Sequence, residues 1–110
     1  MERDEYDSLL SDFRSYLQLE RSLSPNTVSA YSADAEALLH YLKDEGVTSV
    51  SLVTGPQLAT YIESMSASGL SKRSQARAIS SIKSLFRFLE DEGQVKENPC
   101  DMIEDRKSVV

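Results

Sequence analysis

The sequence SKRSQARAISSIKSLFRFLEDEG, residues 71–93, decides the fold. Ser71 is a favourable helix N-cap, and Gly93 stands where a glycine commonly ends a helix. Between them the apolar residues recur every three or four positions, which is the spacing of an amphipathic helix. The predicted inner stripe consists of Ala76, Ile79, Ile82, Phe86 and Leu89. The opposite side is predicted to carry Arg73, Arg77, Ser80, Ser81 and Ser84.

Three more amphipathic helices are predicted before this one. The first spans residues 4–21, and the second runs from Ser24-Pro25 to about Glu45, with Gly46 as its C-cap. The third follows a capping box, Thr54-x-x-Gln57, and ends near Gly69. Their apolar stripes are Tyr6, Leu9, Leu10, Phe13, Tyr16 and Leu17 in the first, Val28, Tyr31, Ala35, Leu38, Leu39 and Leu42 in the second, and Leu58, Tyr61, Ile62 and Met65 in the third.

The segments outside these helices are short. Residues 47–53 have the composition of a strand, but an isolated strand has no partner in a helical chain. We therefore predict a loop that tucks Val47, Val50 and Leu52 into the core. Residues 99–105 could form one short last helix. The predicted fold class is all-α: a compact bundle of four main helices plus a possible short C-terminal helix.

Composition limits the function. At 110 residues, with 40% hydrophobic and 27% charged residues, the chain is predicted to form one soluble domain. It has no long apolar run and an acidic start, so we expect a cytoplasmic protein without a membrane span or signal peptide. One Cys and one His exclude an internal disulfide and a zinc cage. No metal, cofactor or small-molecule ligand is predicted, and no nucleophile motif indicates an enzyme.

The charge distribution is uneven. Residues 64–89 contain five cations (Lys72, Arg73, Arg77, Lys83 and Arg87) and no acid. The whole chain has a net charge of −6, so the remainder carries −11. A helix that stays cationic in an acidic protein indicates a surface for a negatively charged partner, with nucleic acid as the first candidate. The alternative is an ordinary solvated helix face.

The first turn of the second helix is another candidate. Its free N–H groups, together with Asn26, Thr27 and Ser29, could hold a phosphate. The alternative is simple helix capping, which fully explains Ser24 and Pro25. Capping accounts less well for Thr27, since a β-branched residue is a poor choice for an exposed helix position.

Two stretches together resemble a known family. LERSLSPNTVSAYSADAEALLHYL (residues 19–42) and SKRSQARAISSIKSLFRFLEDEGQVKENP (residues 71–99) are similar to the N-terminal core-binding (SAM-like) domain of tyrosine recombinases and phage-type integrases, particularly the Xer-type recombinases. The shared elements are the Asn26-Thr27-x-x-x-Tyr31 turn, the serine- and arginine-rich helix ending in Leu85-Phe86-x-x-Leu89, and the closing Asn98-Pro99.

The resemblance implies one half of a clamp around double-stranded DNA. The other half would be a catalytic domain that cuts and rejoins DNA through a phosphotyrosine, and no part of this chain resembles it. Residues 1–105 would be the core-binding domain and residues 106–110 the start of a linker. Inverted half-sites and a synaptic tetramer of protomers are expected. The residues expected to contact DNA are Thr27, Ser29, Lys72, Arg73, Ser74, Arg77 and Ser81.

The chain departs from the family pattern after Tyr31. Relatives commonly have basic residues there, whereas this chain has Ser32-Ala33-Asp34, so weak and salt-sensitive DNA binding is expected. Two alternatives stay open: a helical protein-interaction module without a DNA role, and a helix-turn-helix regulator. Phe88 is predicted on the outer half of the last helix, either as an apolar contact for a neighbouring protomer or as an ordinary surface residue.

Overall fold

The protein is described by a computed structural model over residues 5–47, 49–96 and 98–99. Its elements are α1 (Glu5–Leu19), α2 (Pro25–Asp44), a short 3₁₀ helix (Val50–Leu52), α3 (Gly55–Ala67) and α4 (Lys72–Asp91). These residues contain no strand, which confirms the all-α prediction. The predicted C-terminal helix and the linker at residues 106–110 fall outside the described residues, apart from Pro99.

The helix boundaries follow the capping signals. Ser24 and Ser71 accept hydrogen bonds from the backbone N–H groups of Thr27 and Ser74, at 3.2 Å each. Thr54 and Gln57 form a complete capping box at the start of α3. Gly46 follows α2 with a φ of +84°, a left-handed conformation that a side chain would strain. The predicted starts of α2, α3 and α4 are therefore confirmed.

The core lies where α4 crosses the other three helices. α4 packs against α1, α2 and α3. At the centre Phe13, Leu17, Leu38, Leu58 and Phe86 have no exposed surface. The predicted stripes of α1, α2 and α3 are confirmed, because every residue in them is buried or packs partly buried against the core. The tyrosine hydroxyl of Tyr6 in α1 donates to the Val47 carbonyl at 2.8 Å and ties the start of α1 to the end of α2.

The predicted phase of α4 needs three corrections. Ser81 is fully buried and Phe88 is only 6% exposed, although both were expected on the outer side. Ala76, expected inside, is exposed. The physical reason is that α4 contacts three helices, so its buried arc is wider than one apolar stripe and is displaced toward Ser81 and Phe88, away from Ala76. Phe88 packs against the rings of Phe13 and Tyr16, at centroid distances of 5.9 and 5.0 Å, and is not available to a neighbouring protomer.

The connection between α2 and α3 was predicted almost correctly. It is not a strand, and Val47 and Val50 are buried as expected. Leu52, however, is 59% exposed, and Val53 is buried instead. The single 3₁₀ turn at Val50–Leu52 changes the direction of successive side chains, so the inward position moves by one residue.

Within the described residues, none of the helices combines the length and the apolar character that a membrane span requires.

Candidate nucleic-acid interface

The exposed side of α4 carries the cations. Lys72, Arg73 and Arg87 are exposed, and the side chain of Arg77 is 47% exposed at the edge facing α2. These four residues are called the cationic surface of α4 below. Arg73, Ser80 and Arg87 lie seven residues apart along the helix, which places them on one side over about four turns. The fifth cation, Lys83, is half-buried and is not without an interaction partner.

Arg77 is held by an acid on the neighbouring helix. Its Nε lies 2.9 Å from Asp34 Oδ2 and its Nη2 lies 3.0 Å from Asp34 Oδ1, so the pair is bidentate. The Ser81 hydroxyl approaches the same Oδ2 at 2.9 Å. We call Asp34, Arg77 and Ser81 the Asp34 clamp. The clamp joins α2 to α4, and the hydrogen bonds with Asp34 raise the pKa of the Arg77 guanidinium.

Ser81 is thus not a surface residue. Its hydroxyl lies within hydrogen-bond distance of both the Asp34 carboxylate and the Arg77 carbonyl, the latter at 3.0 Å. With no exposed surface it has no access to a phosphate. The prediction that Ser81 lies on the exposed side of α4 is wrong, because this position faces Asp34 on α2 and not solvent.

Ser74 belongs to the cap at the start of α4. Its backbone N–H donates to the Ser71 hydroxyl, and its own hydroxyl accepts from Ser71 at 3.1 Å. Gln75 Nε2 donates to the Leu70 carbonyl at 2.7 Å and fixes the preceding turn. These hydrogen bonds fix the backbone on which Lys72 and Arg73 lie. Ser74 itself is half-buried.

Thr27 and Ser29 start α2 in different surroundings. The Thr27 hydroxyl accepts from the hydroxyl of Ser24 at 3.0 Å, so Thr27 is part of the cap, which supplies the structural reason that the sequence lacked. Ser29 is exposed. Thr27 stands seven residues before Asp34 and so faces the same side of α2, towards α4. The start of α2 and the Arg77 edge of α4 thus border the same side of the bundle.

Two functional candidates were missed or undervalued in the sequence. From the sequence, Asp34 indicates only that α2 carries less positive charge than in relatives. In the structure its carboxylate holds the Arg77 guanidinium. The available signal was its place beside the buried stripe of α2, where an acid needs a partner. Arg87 was counted among the cations but not among the predicted contacts, and it is exposed on the same side as Arg73. Burial and the charge of Asp34 also raise the pKa of nearby Tyr61.

The described residues thus form a four-helix domain in which one helix exposes most of its cations. Residues 10–93 match the sequence model of the family described as phage integrase, N-terminal SAM-like domain. The match covers most of the chain, and the chain belongs to this family.

The most similar relatives include tyrosine recombinases from several bacteria. The chain is 39% identical over 90 residues to tyrosine recombinase XerC of Oceanobacillus iheyensis, which covers 82% of this chain and 30% of that protein. It is 35% identical over 99 residues to XerC of Lacticaseibacillus casei, covering 89% and 33%. It is 31% identical over 102 residues to tyrosine recombinase XerD of Listeria monocytogenes, covering 92% and 34%. The resemblance to Xer-type recombinases is confirmed.

The chain spans about a third of the length of these curated relatives. No solved structure matches it at a significant level.

Proposed function

We propose that this chain is a DNA-binding domain that grips a recombination site through the cationic surface of α4. The observation that carries the proposal is that Lys72, Arg73 and Arg87 are exposed on a helix whose stretch of the sequence, residues 64–89, contains no acid. Guanidinium and ammonium groups placed in this way can neutralise successive phosphates. Membership of the integrase family supports DNA over another polyanion.

The remaining predicted contacts have secondary parts in this proposal. Ser29 is exposed in the first turn of α2 and adds an uncharged contact to the DNA backbone. Thr27 and Ser74 mainly form the caps at the helix starts. In this proposal they contact DNA only through the atoms that remain accessible to solvent. Ser81 has no contact in it.

The relatives support a proposal for the wider assembly. Proteins named tyrosine recombinase match over a third of their length, so we propose that this domain works with a catalytic domain that breaks and rejoins DNA. Inverted half-sites, a tetrameric synapse and a cytoplasmic location remain predictions that accompany this proposal. The domain itself would supply grip rather than chemistry.

The test is fluorescence anisotropy of a labelled duplex titrated with the 110-residue chain at low salt. Arg73→Glu should weaken binding by about tenfold or more, because it replaces an attraction to phosphate with a repulsion. Arg77 is a poor choice for charge reversal, because a glutamate there would face Asp34 and damage the α2–α4 contact.

Arg14→Glu is the matched control. Arg14 is exposed on α1, and its reversal changes the net charge by the same amount. We expect it to reduce binding only slightly. Equal losses in both variants would show that net charge alone governs binding, and an absence of binding by the wild type would overturn the proposal.

A further inference from the structure

Asp34 is a largely buried acid whose carboxylate accepts hydrogen bonds from α4. Its side chain is only 12% exposed, and it lies on the side of α2 that faces α4. Three donors converge on its two oxygens: Arg77 Nε, Arg77 Nη2 and the Ser81 hydroxyl. An acid that contributed only to solubility would sit in solvent, as Glu36 does two residues later with a side chain 56% exposed.

The geometry of the pair fixes which part of Arg77 points outward. Asp34 binds the side of the guanidinium formed by Nε and Nη2. Because the group is planar and carries five N–H donors, the Nη1 group and the second N–H of Nη2 lie outside the pair. The Arg77 side chain is 47% exposed, and Arg77 lies about one helical turn after Arg73.

We propose that Asp34 is a positioning residue for DNA binding, which holds the Arg77 guanidinium so that its Nη1 edge meets a phosphate. This inference rests on the proposed function and adds a role for an acid in the cationic surface. Ser81 supports the same arrangement from the core, because its buried hydroxyl donates to the oxygen that binds Arg77 Nε.

The inference predicts an effect opposite to that of simple electrostatics. Asp34→Asn removes a negative charge near the cationic surface, so general attraction to DNA would increase. If Asp34 orients Arg77, the variant instead loses affinity, because a long side chain must be immobilised on binding. We expect duplex binding to weaken by about three- to tenfold.

The first experiment compares Asp34→Asn with Glu36→Gln, using anisotropy of a labelled duplex and the 110-residue chain. Both substitutions remove one acid from α2, but Glu36 contacts no residue of the cationic surface. Glu36→Gln should bind DNA as the wild type does or slightly more tightly. Circular dichroism and urea unfolding at the titration temperature establish that each variant is folded.

Arg77→Lys gives a second measurement, and its effect in the wild-type background does not depend on whether Asp34→Asn folds. Lysine keeps the charge but cannot form the bidentate pair. It should weaken DNA binding in the wild-type background and have little further effect beside Asp34→Asn, because the two changes remove the same arrangement. A purely structural clamp would change the unfolding midpoint without this coupling in DNA affinity.

The outcomes separate the inference from the proposed function. If the wild type binds DNA and Arg73→Glu does not, while folded Asp34→Asn binds as well as the wild type or better, the positioning role is refuted and the DNA surface stands. An equal effect of Arg77→Lys with and without Asp34 also refutes it. If the wild type binds no duplex, both are wrong.

Discussion

Ser32 and Ser81 are both buried serines in helices, but their surroundings are opposite. Ser81 has the Asp34 carboxylate and the Arg77 carbonyl within hydrogen-bond distance of its hydroxyl. Ser32 Oγ, in α2, has no hydrogen-bond partner among the described residues. The same substitution to alanine should therefore change the stability of the protein in opposite directions.

Ser81→Ala removes a hydrogen bond to a carboxylate in the core. We expect the free energy of unfolding to fall by about 1–2 kcal/mol, because Asp34 loses a donor that solvent does not replace. Urea unfolding measures the change. Ser80→Ala is the matched control: Ser80 is exposed on the same helix, and its replacement should be neutral or slightly stabilising. Equal effects at the two positions would contradict the clamp.

Ser32→Ala removes a buried polar group that lacks a partner. The free energy of unfolding should rise by about 0.5 kcal/mol, because alanine favours the helix and leaves no hydroxyl to desolvate. The same urea series provides the measurement. A loss of more than about 1 kcal/mol would mean that Ser32 has a hydrogen-bond partner in solution.

The helix starts could be predicted from sequence because capping is local. Ser24, Thr54 and Ser71 each form bonds within three residues, so the sequence contains both partners. The phase of α4 could not be predicted in the same way. Its buried arc depends on three helices at once, and the apolar pattern alone does not reveal that Ser81 and Phe88 turn inward.

The Asp34 clamp could not be predicted from the sequence either, because its residues lie far apart along the chain. Asp34 and Arg77 are separated by 43 residues, and only the packing of α2 against α4 brings them together. The sequence indicated the cationic helix correctly, because charge is visible without a fold. It did not show that one of those cations has an acid as its neighbour.

Thr54→Ala tests the capping box of α3. Thr54 Oγ1 accepts from the Gln57 N–H at 3.3 Å, while Gln57 Oε1 accepts from the Thr54 N–H at 2.9 Å. Loss of the Thr54 hydroxyl should reduce the free energy of unfolding by about 1 kcal/mol, measured by urea or thermal unfolding. Thr60→Ala in the same helix is the control: the Thr60 hydroxyl only donates back to the Pro56 carbonyl, and we expect a change within about 0.5 kcal/mol. A similar loss in both variants would argue against the cap.

The whole molecule combines a cationic surface with an acidic remainder. The net charge is −6, although residues 64–89 carry +5. Under the proposed function, long-range attraction to DNA would therefore be weak, and binding would depend on local contacts. This balance favours a domain that adds grip to a larger assembly over one that captures DNA alone.

The salt dependence of DNA binding measures how many phosphates are neutralised. If Lys72, Arg73, Arg77 and Arg87 each meet one phosphate, the logarithm of the association constant should fall with the logarithm of salt concentration with a slope of about −3.6. Anisotropy titrations at several salt concentrations give this slope. A value near −8 would require about nine phosphate contacts and so cations beyond α4, while a value near zero would indicate uncharged binding.

The central place of α4 also has a consequence for how the protein forms. Among the described residues, α4 contacts each of the other three α-helices and comes after them in the sequence, so the core cannot close until α4 has docked. Docking in turn leaves Lys72, Arg73 and Arg87 on a common exposed side and brings Arg77 to Asp34. Folding and assembly of the cationic surface are thus one event. During synthesis, the arginines of α4 would therefore be present in the growing chain before docking of α4 arranges them into the cationic surface.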